Sequence, residues 1–189
     1  MKKIMLAPLF IVLTTVVFAQ KYIPKIKPGT VMSYTAYLRN AGQHIPITLT
    51  VKSIGDPTNV QWNVDDFGTG VFSISAKAQD SGTKLVVRTP DADNVTKLKD
   101  DETFVTVSKT TYTSMVKNEP FELNGIKFTV DTNDTTVYKI NNKVAPVLHA
   151  VSANKKSELW VLNNPDFPLL CGELYVAKGI DLTLLAIKE

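Results

Sequence analysis

The chain has 189 residues, with 21 Lys and Arg against 18 Asp and Glu, a formal net charge of +3, one Cys and two His. At 44% apolar residues it lies outside the charged, apolar-poor range of disordered chains. Cys171, His44 and His149 cannot form an internal disulfide or a zinc centre of soft ligands, and no Lys/Arg run interleaved with aromatics tracks phosphates. No cofactor and no nucleic-acid partner are expected.

Met1-Lys2-Lys3 is a short basic start, Ile4 to Val17 is nearly all apolar, and Val17-Phe18-Ala19 places small residues where a signal peptidase reads. This predicts a cleavable secretory signal over 1–19 and a single β domain over 20–189, exported to the periplasm or the extracellular space. The apolar run holds Pro8 and falls short of the roughly 20 residues that a membrane span needs, so no transmembrane segment is expected after cleavage. Loss of Lys2 and Lys3 lowers the formal charge from +3 to +1. No Cys follows the run to carry a lipid. Cys171, within Phe167-Pro168-Leu169-Leu170-Cys171, reads as a buried, inert thiol, with an intermolecular disulfide or a reactive thiol as alternatives.

Residues 20–189 contain 19 Thr, 18 Val and 10 Ile, so 47 of 170 side chains branch at the β-carbon. Such side chains lose rotamer freedom in helices and pack well on pleated sheets. Val31, Ser33, Thr35 and Tyr37 alternate with Met32, Tyr34, Ala36 and Leu38, and Ile45, Ile47, Leu49 and Val51 alternate with polar residues, predicting two half-buried strands joined at Asn40-Ala41-Gly42. Strands are then expected at Val60–Val64, Val71–Ala76 and Lys84–Arg88, a polar loop from Pro90 to Glu102, and a strand at Phe104–Val107. Apolar spacing of i, i+3, i+4 after an N-cap Ser108, with Pro120 beyond, predicts one short helix near 109–117. Strands resume at Phe121–Leu123, Ile126–Val130, Thr136–Ile140, Val144–Val151, Glu158–Leu162, Leu169–Val176 and Ile180–Ile187. Many short strands with local turns predict an all-β fold: a single antiparallel curved sheet, an open barrel or a sandwich.

No Gly-x-Ser-x-Gly elbow occurs, and His44 and His149 read as a rim and a strand-face residue. Asp65-Asp66, Asp91-Ala92-Asp93, Asp100-Asp101-Glu102 and Asp131-Thr132-Asn133-Asp134 are oxygen-rich turns. None follows the spaced calcium-loop pattern, and solvated turn residues are the simpler reading.

The stretch Ser157-Glu158-Leu159-Trp160-Val161-Leu162-Asn163-Asn164-Pro165-Asp166-Phe167-Pro168-Leu169-Leu170 resembles the closing hairpin of a family of periplasmic β domains of unknown function. Pro28 to Tyr34 and Val107 to Met115 resemble that family's opening strand and short helix. The family is distantly similar to the open β-barrels of lipoprotein carriers, so the resemblance implies a curved sheet shielding an apolar cavity. It brings no catalytic residues, and this sequence shows less helix than those carriers.

The expected function is therefore an exported, non-catalytic β domain that binds a lipid or another apolar small molecule. Its candidate lining is Tyr34, Trp62, Phe72, Phe128 and Trp160, large side chains that equally suit a filled core. An envelope protein-interaction module using an exposed sheet edge is the alternative. A hydrolase is a third reading and requires His149 or an acid pair in a cleft.

Overall fold

The computed structural model describes residues 21–86 and 91–189. The predicted signal lies outside the described residues, as do the last two residues of the strand expected at Lys84–Arg88. β1 (Val31–Leu38), β2 (Gln43–Ser53), β3 (Thr58–Val64) and β4 (Gly68–Ile74) form a meander of antiparallel hairpins. α1 (Ala76–Ser81) follows, capped by the Ser75 hydroxyl accepting from the Ala78 amide. Then come β5 (Lys84–Leu85), β6 (Val95–Lys97), β7 (Glu102–Thr103) and α2 (Lys109–Val116), the last capped by Ser108 as its sequence implies.

The second half runs through β8 (Phe121–Leu123), β9 (Ile126–Val130), β10 (Lys139–Ile140), β11 (Lys143–Val144), β12 (Val147–Ser152), β13 (Glu158–Leu162), β14 (Leu170–Leu174) and β15 (Ile180–Lys188). Eleven strands make one open sheet in the order β6-β4-β3-β2-β1-β15-β14-β13-β12-β9-β8. Among the described residues the chain is thus mostly β, with two separate two-stranded pairs, β5–β7 and β10–β11, and one large open mixed sheet. β1 and β15 meet at its centre, antiparallel, with a register shift between Ser33 and Tyr34. The two sheet edges, β6 and β8, are three residues each, and short edges offer little template for adding a foreign strand.

The sheet departs from the antiparallel expectation in one place and from the expected elements in several. β6 pairs with β4 in parallel, with α1 and β5 between them in the chain, and the small β5–β7 pair is also parallel. The polar stretch Pro90–Glu102, read as a loop, therefore contributes an edge strand. A second helix, α1, occurs where none is expected: Ser75 caps it, but six residues carry too little periodicity to reveal it. Phe104–Val107 is not a strand. Val105 has φ +52, and only the Thr106–Leu169 bridge pairs this segment with a strand neighbour. Thr136–Ile140 pairs only over β10, and Pro146, which has no amide to donate, separates β11 from β12.

Strand alternation assigns the two faces. Met32, Tyr34 and Ala36 of β1, Leu49 and Val51 of β2, Val60 and Trp62 of β3, Phe72 and Ile74 of β4, and Leu182 and Leu184 of β15 are buried on the core face. That face is covered by the chain from Leu98 through α2, not by a long helix. Phe104 packs on Phe72 with centroids 4.4 Å apart, and the Leu170 amide donates to the Val105 carbonyl at 2.8 Å. Met115 of α2 is fully buried in the same cluster.

The opposite face is partly crossed by residues 131–146. Tyr138 donates its hydroxyl to the Cys171 carbonyl at 2.6 Å, and the Asn141 side chain both donates to and accepts from the Ile187 backbone. This crossing segment leaves the middle of that face open on one side.

Candidate functional site

Two adjoining clefts lie on the face opposite the core. One, of about 220 Å³, is bordered by Thr35, Tyr37, His44, Leu174, Asp181 and Thr183. The other, of about 270 Å³, is bordered by Thr136, Tyr138, Trp160, Gly172, Leu174, Leu182 and Thr183. Sharing Leu174 and Thr183, they form one trough along the row Thr35, Thr183, Gly172, Trp160, which the ladders β1–β15, β15–β14 and β14–β13 place side by side. Each cleft is shallow and somewhat smaller than the roughly 300–1,000 Å³ of a typical small-molecule pocket. Its walls are mostly apolar carbon with a few hydroxyls.

An aromatic pair stands at each end. Tyr37 and His44 face each other at 4.8 Å across the β1–β2 ladder. At the other end the His149 and Trp160 rings stack, centroids 4.6 Å apart and planes within 5°. Trp160 has His149 as its neighbour on β12 and Gly172 as its neighbour on β14. One indole face is covered by imidazole, and the ring packs close over Gly172, with the Tyr138 hydroxyl nearby. A β-carbon there would lie 3.3 Å from Trp160 Cε3, so any larger residue would push into the trough.

His149 is held by acids. Its Nε2 is 3.0 Å from Glu158 Oε2, and its Nδ1 is 2.7 Å from Asp134 Oδ2, a close contact poorly aligned for a hydrogen bond. The Asp134 carboxyl is kept below the ordinary aspartate range first by hydrogen bonding from Thr136, whose amide donates at 2.8 Å, and further by His149. With both ring nitrogens facing carboxylates, His149 is not poised to take a proton from a hydroxyl or thiol. The one thiol, Cys171, is buried and pushed up to about 12 by desolvation.

A second polar cluster braces the turn between β14 and β15. Arg39 pairs with Asp181, donates to the carbonyls of Ile180 and Ala177, and lies 4.5 Å from the Tyr175 ring centre. Glu173 lies on the core side of this turn, fully buried. Its Oε2 accepts from the Val176 and Ala177 amides, and its Oε1 has no partner. Burial pushes its carboxyl up to about 7 against the pull of those two amides.

Of the five side chains proposed from sequence, Trp160 alone borders the trough. Tyr34, Trp62, Phe72 and Phe128 are buried on the core side: Tyr34 donates to the Leu170 carbonyl at 2.5 Å, and Phe128 stacks on Phe121 at 5.6 Å. The structure does not bring these four to Trp160. Thr35, Tyr138, Gly172 and Thr183 escaped the sequence reading, and a register shift between Trp160 and Val161 is what sets Gly172 opposite the tryptophan. At Asp131-Thr132-Asn133-Asp134, Asp131 accepts from the Asn133 amide in a local turn. Among the described residues no group of three or more His, Cys, Asp or Glu is placed to hold a metal ion. No family model, curated protein or solved structure matches the chain.

Proposed function

We propose that the chain is an exported, non-catalytic β domain that binds a small ligand with a flat apolar face in the Trp160 trough. The observation that carries this reading is the cleft that Trp160 borders together with Gly172 and Tyr138, with the indole backed on one face by His149. A ring held from behind by a stacked partner is already ordered, so a ligand stacking on it meets a small entropy cost. Apolar walls supply affinity and the hydroxyls of Thr35, Thr136 and Thr183 supply orientation. Engagement of both His149 nitrogens by carboxylates favours binding over general-base chemistry. Export rests on the basic, apolar, small-residue pattern of residues 1–19.

The test is a titration with the apolar fluorophore N-phenyl-1-naphthylamine. The mature chain is expected to bind it saturably, and Trp160→Ala to weaken binding at least about tenfold while the fold is retained, since a lost stacking partner is worth roughly 1–1.5 kcal/mol beyond its area. Absence of saturable binding, or equal binding by Trp160→Ala, overturns the reading.

A further inference from the structure

We infer that His149 is a protonation-controlled clasp on the wall of the trough, fastening the segment that carries Thr136 and Tyr138. The inference about the clasp is independent of any ligand; only its effect on binding rests on the trough reading above.

The crossing segment leaves β9 at Val130 and rejoins the sheet region at β10. At its start the Asp131 amide donates to the His149 carbonyl at 2.9 Å, continuing the β9–β12 ladder by one more residue. At its end Tyr138 is tied to the Cys171 carbonyl. Between these points, Asp134 is the residue that reaches a side chain of the sheet, and that side chain is His149. Thr136 and Tyr138, two and four residues on, form the trough wall. Tyr138 is held by its own hydroxyl, so the Asp134–His149 contact bears on the part of the wall that Thr136 forms.

An imidazole protonated on both nitrogens carries two N–H groups and a positive charge, so it serves Asp134 and Glu158 together. A neutral ring has one N–H, and its other nitrogen turns a lone pair toward a carboxylate. One of the two contacts then becomes repulsive. Glu158 belongs to β13 and is held by the ladder, whereas Asp134 belongs to an irregular segment, so Asp134 is the partner that gives way. The groups facing the ring are Asp134 from the crossing segment, Glu158 and the neutral Trp160 from β13, and Asp131 across the ladder, whose carboxylate accepts the Asn133 amide. Among the described residues, no Lys or Arg forms an ion pair with Asp134, Glu158 or Asp131.

Loss of the ring proton should therefore release residues 132–136 while Tyr138 and the sheet stay in place, a local opening of the kind amide exchange reports. Amide hydrogen exchange of the full mature chain, corrected for intrinsic rates, tests this at pH 5.5 and pH 8. Protection over 132–136 is expected to fall at least about threefold at the higher pH relative to β1, and Asp134→Asn is expected to show low protection at both. His149→Gln, which cannot be charged, should match Asp134→Asn. Equal protection at the two pH values in the unaltered chain, or a pH response that persists in Asp134→Asn, overturns the clasp. If N-phenyl-1-naphthylamine fails to bind at either pH while the exchange response is present, the ligand reading fails and the clasp stands.

Discussion

Trp160 sits across the β13–β14 ladder from Gly172, and the missing side chain at Gly172 lets the indole border a cleft on the face away from the core. The other tryptophan repeats the pairing with the opposite outcome. Trp62 lies across from Gly70, but on the core face, where it is buried and its Nε1 has no partner. The same cross-strand pair thus makes packing on one side of the sheet and an open site on the other.

Filling the space at Gly172 should abolish the site and spare the fold. A β-carbon there would be 3.3 Å from Trp160 Cε3 and 3.5 Å from the Leu182 carbonyl, close but relievable by a small ring shift. Gly172→Val is expected to cost about 1 kcal/mol in urea unfolding and to weaken N-phenyl-1-naphthylamine binding at least about tenfold. Undiminished affinity in a folded Gly172→Val variant would place the probe elsewhere.

The two tryptophans should separate in stability. Trp62→Ala removes a fully packed core ring and should cost roughly 3–5 kcal/mol. Trp160 is half-buried and stacked on one face only, so Trp160→Ala should cost about 1–2 kcal/mol. Equal losses in parallel urea titrations would contradict the assignment of the two faces.

Much of this arrangement is legible in the sequence, because alternation and turn chemistry are local. The turn at Ala153-Asn154-Lys155-Lys156 between two apolar strands sets the β12–β13 register and with it the His149–Trp160 pair. What is not legible is non-local. Tyr34 and Trp160 are both large aromatics on strands, and only the sheet order decides which face meets the covering chain. The covering segment itself, Leu98 to Val107, has no regular period because it packs as irregular chain across the core face. Asp134 reaches His149 through a segment with no ladder to fix its path, so the clasp leaves no pattern in the sequence.

Stability should fall as pH rises from about 4.5 to about 7. Glu173 is raised to about 7 in the folded chain from an ordinary value of 4.5, so the fold prefers the protonated form. The unfolded chain ionises this group first. Its contribution is intact below about pH 4.5 and is lost between there and pH 7, to the extent of about 3 kcal/mol. Urea midpoints should accordingly drop from pH 5 to pH 8, and Glu173→Gln should flatten the drop. A variant with the same pH slope as the unaltered chain would remove Glu173 as its source.

Cys171 should be silent until the chain unfolds. It is buried and its thiol is pushed up to about 12, leaving almost no thiolate at neutral pH. Labelling with a disulfide reagent should proceed at the rate of global unfolding and accelerate only in denaturant. Rapid labelling of the native chain, or a disulfide-linked dimer on non-reducing gels, is the contrary result.

The most direct measurement of the central claim is a nuclear magnetic resonance titration of the isotope-labelled mature chain with N-phenyl-1-naphthylamine, following each amide and the two indole N–H signals. A ligand in the trough shifts Thr35, Tyr138, Trp160, Gly172 and Thr183 together and leaves the Trp62 indole in place. Shifts centred on Tyr34, Trp62, Phe72 and Phe128 would instead put the ligand on the core side of the sheet and contradict the account.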